Sequence, residues 1–241
     1  MTNLRMYIRK ILIESMQNPK VLFMAGGPGS GKSTALRRMG LIEQLEIINP
    51  DDLYEESLKA EGIPLDRNAI FAEYGPVRQA YLEAQESGDT QAMAELEPEY
   101  LRLKGILSRN MVLFNKARKD AKERKQRIQS ERGNFVVDGT GGNYKEILKQ
   151  VNQLQDSGYE VAMLFVDVPL EVSIERDAAR SKRGGRTLGA STVERSWNSV
   201  AKNLEKYEEL FGDNFFYFDA REEAFDASVV ELQPRVQRFL R

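Results

Sequence analysis

The chain contains no cysteine and no histidine, and these absences remove whole classes of chemistry. Without cysteine there is no disulfide, no thiolate zinc site and no cysteine nucleophile, which agrees with a reducing compartment. Without histidine, imidazole-ligated metals are excluded, and a general base must be a carboxylate or, failing that, a lysine or tyrosine. Long apolar runs are also missing: none approaches the ~20 residues of a membrane helix, and the N-terminus lacks a signal-peptide core. The expectation is a cytoplasmic protein with no membrane partner. Excess charge of one sign is lacking as well. The 35 Lys and Arg against 37 Asp and Glu leave a formal net charge of −2, so any basic site must be local. No internal repeat or low-complexity tract breaks the 241 residues, 41% of them hydrophobic and 30% charged. That supports one large domain over 1–241.

What is present is organised around Gly26-Gly27-Pro28-Gly29-Ser30-Gly31-Lys32-Ser33-Thr34. An apolar run, Val21 to Ala25, precedes it, and a helix-forming segment from Ala35 follows. Gly26, four residues, then Gly31, Lys32 and Ser33 match the Walker A spacing. Glycines let backbone N–H groups close as a nest around phosphate oxygens, and the start of the following helix adds its positive end. Lys32 supplies a point charge for terminal phosphates, and the Ser33 hydroxyl can ligate Mg2+. The nine residues Gly26, Gly27, Pro28, Gly29, Ser30, Gly31, Lys32, Ser33 and Thr34 are the expected nucleotide-binding set.

Around this loop the pattern alternates strand and helix. A helix over 1–18 ends at Pro19, and strands are expected at 21–25, 46–49, 134–138, 159–168 and 214–218. Helices are expected after the loop to Gly40, from Asn143 (with Glu146, a capping box) to about 157, from Pro169 towards the arginines, from Ser191 to about 211, and over 227–241. Five strands separated by helices predict an α/β fold, a parallel five-stranded sheet covered by helices on both faces. A helical insertion occupies about 55–132, with breaks expected at Gly62-Ile63-Pro64, Gly75-Pro76, Ser87-Gly88-Asp89 and Pro98. Its basic stretch 116–132 has acidic residues interspersed. Such mixing favours a solvated helix held by local ion pairs over a nucleic-acid surface.

In open α/β sheets, ligands bind beyond the carboxyl ends of the strands. Three further stretches fall there. Asp51 and Asp52 follow the second strand; Asp51 is the candidate base for an acceptor hydroxyl, and Asp52 the candidate helix cap. Asp138 ends the third strand in the manner of a Walker B carboxylate that orients Mg2+. Arg176, Arg180 and Arg183 share a helix face, and with Gly184-Gly185 and Arg186 they suit a lid over about 176–190 that carries guanidinium groups to a transferring phosphate.

The combination resembles P-loop kinases, and within them the zeta-toxin family. The matching pieces are Gly27 to Ser33, Ile48-Asn49-Pro50-Asp51, Val136 to Gly141, Gly158 to Val161, Ile174-Glu175-Arg176 and Arg186-Thr187, together spanning 21 to about 205. The resemblance implies transfer of phosphate from ATP, with Mg2+, to a hydroxyl of a small-molecule acceptor, the nucleotide sugar UDP-N-acetylglucosamine. It makes Lys32 the phosphate clamp, Asp51 the base, Arg176 and Arg186 the transition-state arginines, and Asp138 and Thr140 acceptor contacts. The family pattern has Glu where Asp138 stands and Arg where Gly142 stands. Two alternatives stay open: a polynucleotide 5′-hydroxyl kinase that uses 116–132 to bind nucleic acid, and an ATP-binding switch that transfers nothing. The pattern names no protein partner.

Overall fold

The computed structural model describes residues 18–182 and 185–241. The helix expected over 1–18, save Asn18 at its end, and Arg183 and Gly184 of the expected lid, lie outside the described residues. Strands β1 (Lys20–Ala25), β2 (Glu46–Ile48), β3 (Phe135–Asp138), β4 (Glu160–Asp167) and β5 (Phe215–Asp219) form one sheet. All pairs are parallel, in the order β2-β3-β1-β4-β5. The helices are α1 (Lys32–Arg38), α2 (Pro50–Ala60), α3 (Arg67–Ser87), α4 (Thr90–Ser130), α5 (Tyr144–Asp156), α6 (Leu170–Lys182), α7 (Ala190–Ala201), α8 (Leu204–Phe211) and α9 (Glu222–Leu240).

The apolar run of β1 reads as a central strand because both its faces are covered. Val21, Phe23 and Ala25 point into a core closed by the last turns of α4 (Ala121, Ile128), by Ile147 and Val151 of α5, and by Tyr207 and Phe211 of α8. Leu22 and Met24 point the other way, against Leu36 of α1 and Leu232 and Val236 of α9. The expected α/β architecture is therefore present, with helices on both faces and a helical insertion. The order in which strands are added reverses around β1: its crossover leads to β2 on one side, while β3 crosses over to β4 on the other. The crevice between the carboxyl ends of β1 and β3 is the place where such sheets bind ligands.

Several boundaries differ from expectation. Gly75-Pro76 and Pro98 do not break the insertion; Pro76 lies inside α3 and Pro98 inside α4. Each proline removes one backbone hydrogen bond, but α3 and α4 pack lengthwise. Tyr100 of α4 stacks on Tyr81 (4.5 Å) and Tyr74 (6.0 Å) of α3, across the Pro76 turn. Tertiary packing overrides the local penalty there. The breaks at Gly62 to Pro64 and at Gly88 are present, the latter with Gly88 left-handed (φ 72°) and Asp89 capping α4 through the Ala92 N–H. The single helix expected from Ser191 to 211 is two, which meet at Asn203. Its Nδ2 donates to the carbonyls of Gly141 (3.1 Å) and Gly142 (3.0 Å), and also to the Ser199 carbonyl of α7 (3.0 Å). The last helix starts at Glu222, five residues before 227, with Glu222 and Glu223 favourably placed in its first turn.

Candidate active site

The loop after β1 holds its shape through close backbone approaches. A Cβ on Gly26 would lie 2.4 Å from the Val166 carbonyl oxygen, and one on left-handed Gly29 (φ 76°) would lie 2.6 Å from that of Ser173. Only glycine fits either position. Lys32 folds back over the loop, its Nζ donating to the carbonyls of Gly26 (2.8 Å) and Gly27 (3.4 Å). On the outer side Trp197, the one tryptophan of the chain, lies 3.6 Å from the position of a Gly27 Cβ and donates from Nε1 to the Val168 carbonyl (2.8 Å).

Strand register carries the acidic residues to this loop. Met24 pairs with Asp138, and Ile48 with Val137, so the ends of β1, β3 and β2 lie side by side. Asn49 follows β2 and performs two tasks. Its Oδ1 accepts from the Asp51 N–H (2.9 Å), capping α2, and its Nδ2 donates to Asp138 Oδ2 (2.9 Å). The cap expected at Asp52 is therefore Asn49; Asp51 and Asp52 sit in the first turn, where a carboxylate favours the helix N-terminus.

Asp138 is buried, and its second oxygen, Oδ1, has no hydrogen-bond partner among the described residues. Burial pushes its carboxyl above the usual range, the charge of Lys32 opposes this, and the charge of Asp51 adds to it. Desolvation and the charge of Asp138 likewise hold Asp52 above its ordinary value. A carboxylate with an orphaned oxygen, in a cleft shared with Lys32 and Ser33, fits a site for hydrated Mg2+. One carboxylate and one hydroxyl leave the other positions to water and phosphate oxygens. Among the described residues no cluster of three or more carboxylates forms a complete metal cage.

The raised Asp138 has a stability consequence. Its folded value lies above its unfolded one, so the stability it contributes is complete below the unfolded value of 3.8 and is lost as pH rises through the folded value. Ionisation of this side chain therefore weakens the ligand-free fold. Asp138→Asn is expected to raise the ligand-free Tm at pH above the folded value of this carboxyl and to flatten the decline of Tm with rising pH, followed from pH 4 to 9. Thermal denaturation across that range checks this; a lower Tm at pH 9 would contradict it.

The arginines converge from α6 and the segment after it. Arg176 crosses above the loop, with Nη2 donating to the Ala220 carbonyl (3.0 Å) and Nη1 lying 3.4 Å from that of Ser30. Arg180 pairs with Glu55 of α2 (2.8 Å). Arg186 donates from Nη1 to Asp51 Oδ1 (2.9 Å) and lies 5.7 Å from the Tyr54 ring centre. Asp177, which the sequence analysis did not single out, anchors this segment. It is 6% exposed and accepts from the Thr187 hydroxyl (2.7 Å) and the N–H groups of Leu188 and Gly189 (both 3.1 Å). The available signal was a carboxylate inside a helix, four residues after Ser173, on positions that should face the core.

These pieces line one cleft of about 640 Å³. Pro28 to Thr34, Asp51, Asp52, Asp138, Thr140, Arg176, Arg180 and Arg186 all reach it; Gly26 and Gly27 shape the loop from behind. Two residues of the inserted helix α4, Phe114 and Arg118, also line it. The insertion is thus a wall of the site. Asn203 and the Tyr207 hydroxyl (2.6 Å to the Gly141 carbonyl) brace the segment that carries Thr140.

A family model described as an AAA domain matches residues 21–206, from β1 through the start of α8. The chain belongs to that AAA domain family. Among curated proteins it is similar to the UMP-CMP kinase of Danio rerio, 26% identical over 170 residues that cover 70% of this chain and 71% of the relative. Among solved structures it resembles a candidate kinase of Chloroflexus aurantiacus, with a TM-score of 0.55 at 14% identity, covering 93% of this chain and all of the other. A structure from the PezAT chromosomal toxin–antitoxin system of Streptococcus pneumoniae gives a TM-score of 0.52 at 15% identity, covering 93% and 87%. At such identities the structural likeness speaks for the fold. This AAA-family chain has a P-loop-kinase-like fold. No helix among the described residues is long and apolar enough to cross a membrane.

Proposed function

We propose that this chain is an ATP-dependent, zeta-toxin-like kinase that transfers the γ-phosphate to a hydroxyl of a small acceptor, with a nucleotide sugar such as UDP-N-acetylglucosamine as the favoured class. The observation that carries the reading is the shared cleft. A phosphate loop, a candidate base on α2, a buried carboxylate and two arginines open onto the same space. Phosphoryl transfer asks for positioning and charge neutralisation, and these residue types supply both.

In this reading MgATP brings an activated phosphoryl group and a divalent charge. Lys32 and the loop N–H groups bind the terminal phosphates, and Ser33 and Asp138 hold the metal or its waters. A carboxylate oxygen of Asp51 accepts the proton of the acceptor hydroxyl. Asp138 and Thr140 contact the acceptor, and Arg176 and Arg186, in a lid over about 176–190 of a single domain, neutralise the transferring group. Asp51 and Arg186 are paired with each other in the present state, and productive closure separates them.

The polynucleotide reading draws less support from the basic stretch 116–132. Arg127 pairs with Glu46 (2.6 Å), Lys119 lies 3.6 Å from Glu123, and Lys125 donates to Gln150 (2.8 Å). Burial moreover lowers the Lys125 ammonium below its ordinary value. Radiolabelled transfer from ATP to nucleotide sugars, nucleosides and 5′-hydroxyl oligonucleotides tests the proposal. Saturable labelling of a small acceptor is expected. Labelling confined to oligonucleotides, with strongly salt-dependent binding, would favour the polynucleotide kinase; ATP hydrolysis that no acceptor stimulates would favour the switch.

The arginines give a second test. Arg186→Ala is expected to lower kcat by about tenfold to a hundredfold with little change in the KM for ATP. Arg176→Ala should match it in kcat and also lower Tm, because it now bridges the loop to the Ala220 carbonyl. Steady-state kinetics with both substrates varied separate the two effects, and a loss confined to the KM for ATP would make them ground-state clamps.

A further inference from the structure

We infer that the inserted helix α4 forms the acceptor-binding wall of the cleft, with Arg118 as the cation that binds a phosphate group carried by the acceptor. The inference rests on the kinase reading and adds to it the wall and the residue that would bind the acceptor's phosphate.

Among the described residues the other cations of the cleft are committed. Lys32 lies on the Gly26 and Gly27 carbonyls, and Arg176 on those of Ser30 and Ala220. Arg180 is paired with Glu55, and Arg186 with Asp51. Arg118 lines the same cleft, yet among the described residues it pairs with no carboxylate and donates no hydrogen bond. Its neighbour is the ring of Phe114, whose centre lies 5.8 Å from the guanidinium carbon.

The ring under it is held by built structure. Tyr54 of α2 meets Phe114 edge-on (5.5 Å, 81°), and the Tyr54 hydroxyl donates to Asn110 Oδ1 (2.6 Å). Asn110 is 2% exposed in the middle of α4, and its Nδ2 donates to the Ile106 carbonyl (3.0 Å). A buried amide with both its oxygen and its nitrogen engaged fixes α4 against α2 in one register. That register sets Phe114 and Arg118 beside α2, the helix that carries Asp51 and Glu55. Arg118 therefore belongs to the base's side of the cleft, where the acceptor must lie, and the phosphate loop faces it from β1.

A guanidinium fork without an anion, resting on an aromatic ring, suits a phosphate that can take two parallel hydrogen bonds. A neutral acceptor would leave it with water. Tyr54 touches Phe114 on one side and lies 5.7 Å from the Arg186 guanidinium on the other, so the acceptor wall and the lid arginine share one ring.

The test compares acceptors and variants in the full chain. With UMP and UDP-N-acetylglucosamine set against uridine, the phosphorylated compounds should be used at a KM at least about tenfold lower. Arg118→Ala should raise that KM by about tenfold, leave the KM for ATP within about twofold and flatten the rise of acceptor KM with salt; Arg118→Lys should restore part of the affinity. Because the side chain is exposed, Tm should hardly move. Uridine used as well as its phosphates, or an acceptor KM unmoved by Arg118→Ala, overturns the inference while leaving the kinase intact. Absence of transfer to any acceptor sinks the kinase reading instead. Calorimetric titration with UMP and UDP-N-acetylglucosamine then decides about Arg118: binding lost in Arg118→Ala upholds it, and equal or no binding overturns it.

Discussion

Lys32→Ala is expected to lower phosphoryl transfer by at least about a thousandfold while leaving the fold in place. The ammonium is the one positive charge that the loop itself carries, and its removal leaves developing charge on the terminal phosphates without a counter-charge. What the substitution removes from the ligand-free protein is small: two hydrogen bonds to the Gly26 and Gly27 carbonyls, both part-buried and within reach of water. Tm should therefore stay within a few degrees. Trp197 fluorescence offers a direct check of nucleotide binding, since the only indole of the chain packs against the loop at Gly27. Near-normal turnover by the variant would remove the phosphate loop from the mechanism.

Asp51→Asn is expected to cut kcat by about a thousandfold with the KM for ATP almost unchanged, because a base acts on the acceptor and not on the nucleotide. The amide is nearly isosteric, and the Asp51 N–H keeps its bond to Asn49 Oδ1. The ion pair with Arg186 weakens to a neutral contact; at 57% side-chain exposure for Asp51, that loss matters little to stability. Asp52→Asn should stay within about tenfold of the natural enzyme. Because Asn49 caps the helix, it should also not lower Tm. Separate kinetic constants for the two variants settle the assignment, and the reverse order would move the base to Asp52.

The parts of the fold that were legible in the sequence are those where local chemistry and tertiary role coincide. The run Val21 to Ala25 is apolar throughout because both faces of β1 are buried, and Asn143 reads as a cap because its Oδ1 does accept from the Glu146 N–H (3.2 Å). Where a side chain serves a distant partner, the local pattern misleads. Pro76 and Pro98 look like stops, yet stacked tyrosines carry both helices through them. Asn203 looks like a helical residue, and besides the Ser199 carbonyl its amide reaches the Gly141 and Gly142 carbonyls some sixty positions away. The candidate site shows the same division. Loop, carboxylates and arginines were visible as residue types next to strand ends. Asn49 between Asp51 and Asp138, Asp177 bonded to Thr187, Leu188 and Gly189, and Arg118 on the insertion depend on which elements meet, and no single window of sequence contains that.

Helix α4 runs unbroken through 41 residues, about 60 Å at 1.5 Å per residue. Its far end pairs with α3, its middle lines the cleft through Phe114 and Arg118, and its last turns bury Ala121 and Ile128 in the core beside the sheet. One rod is thus keel, wall and mast at once. An engineer who excised residues 53–132 to recover a minimal enzyme would uncover β1 and β3 along with the cleft. Shortening the hairpin from its tip, above the buried Leu103, would leave both intact. The segment that looks most like an accessory is separable only at its outer end.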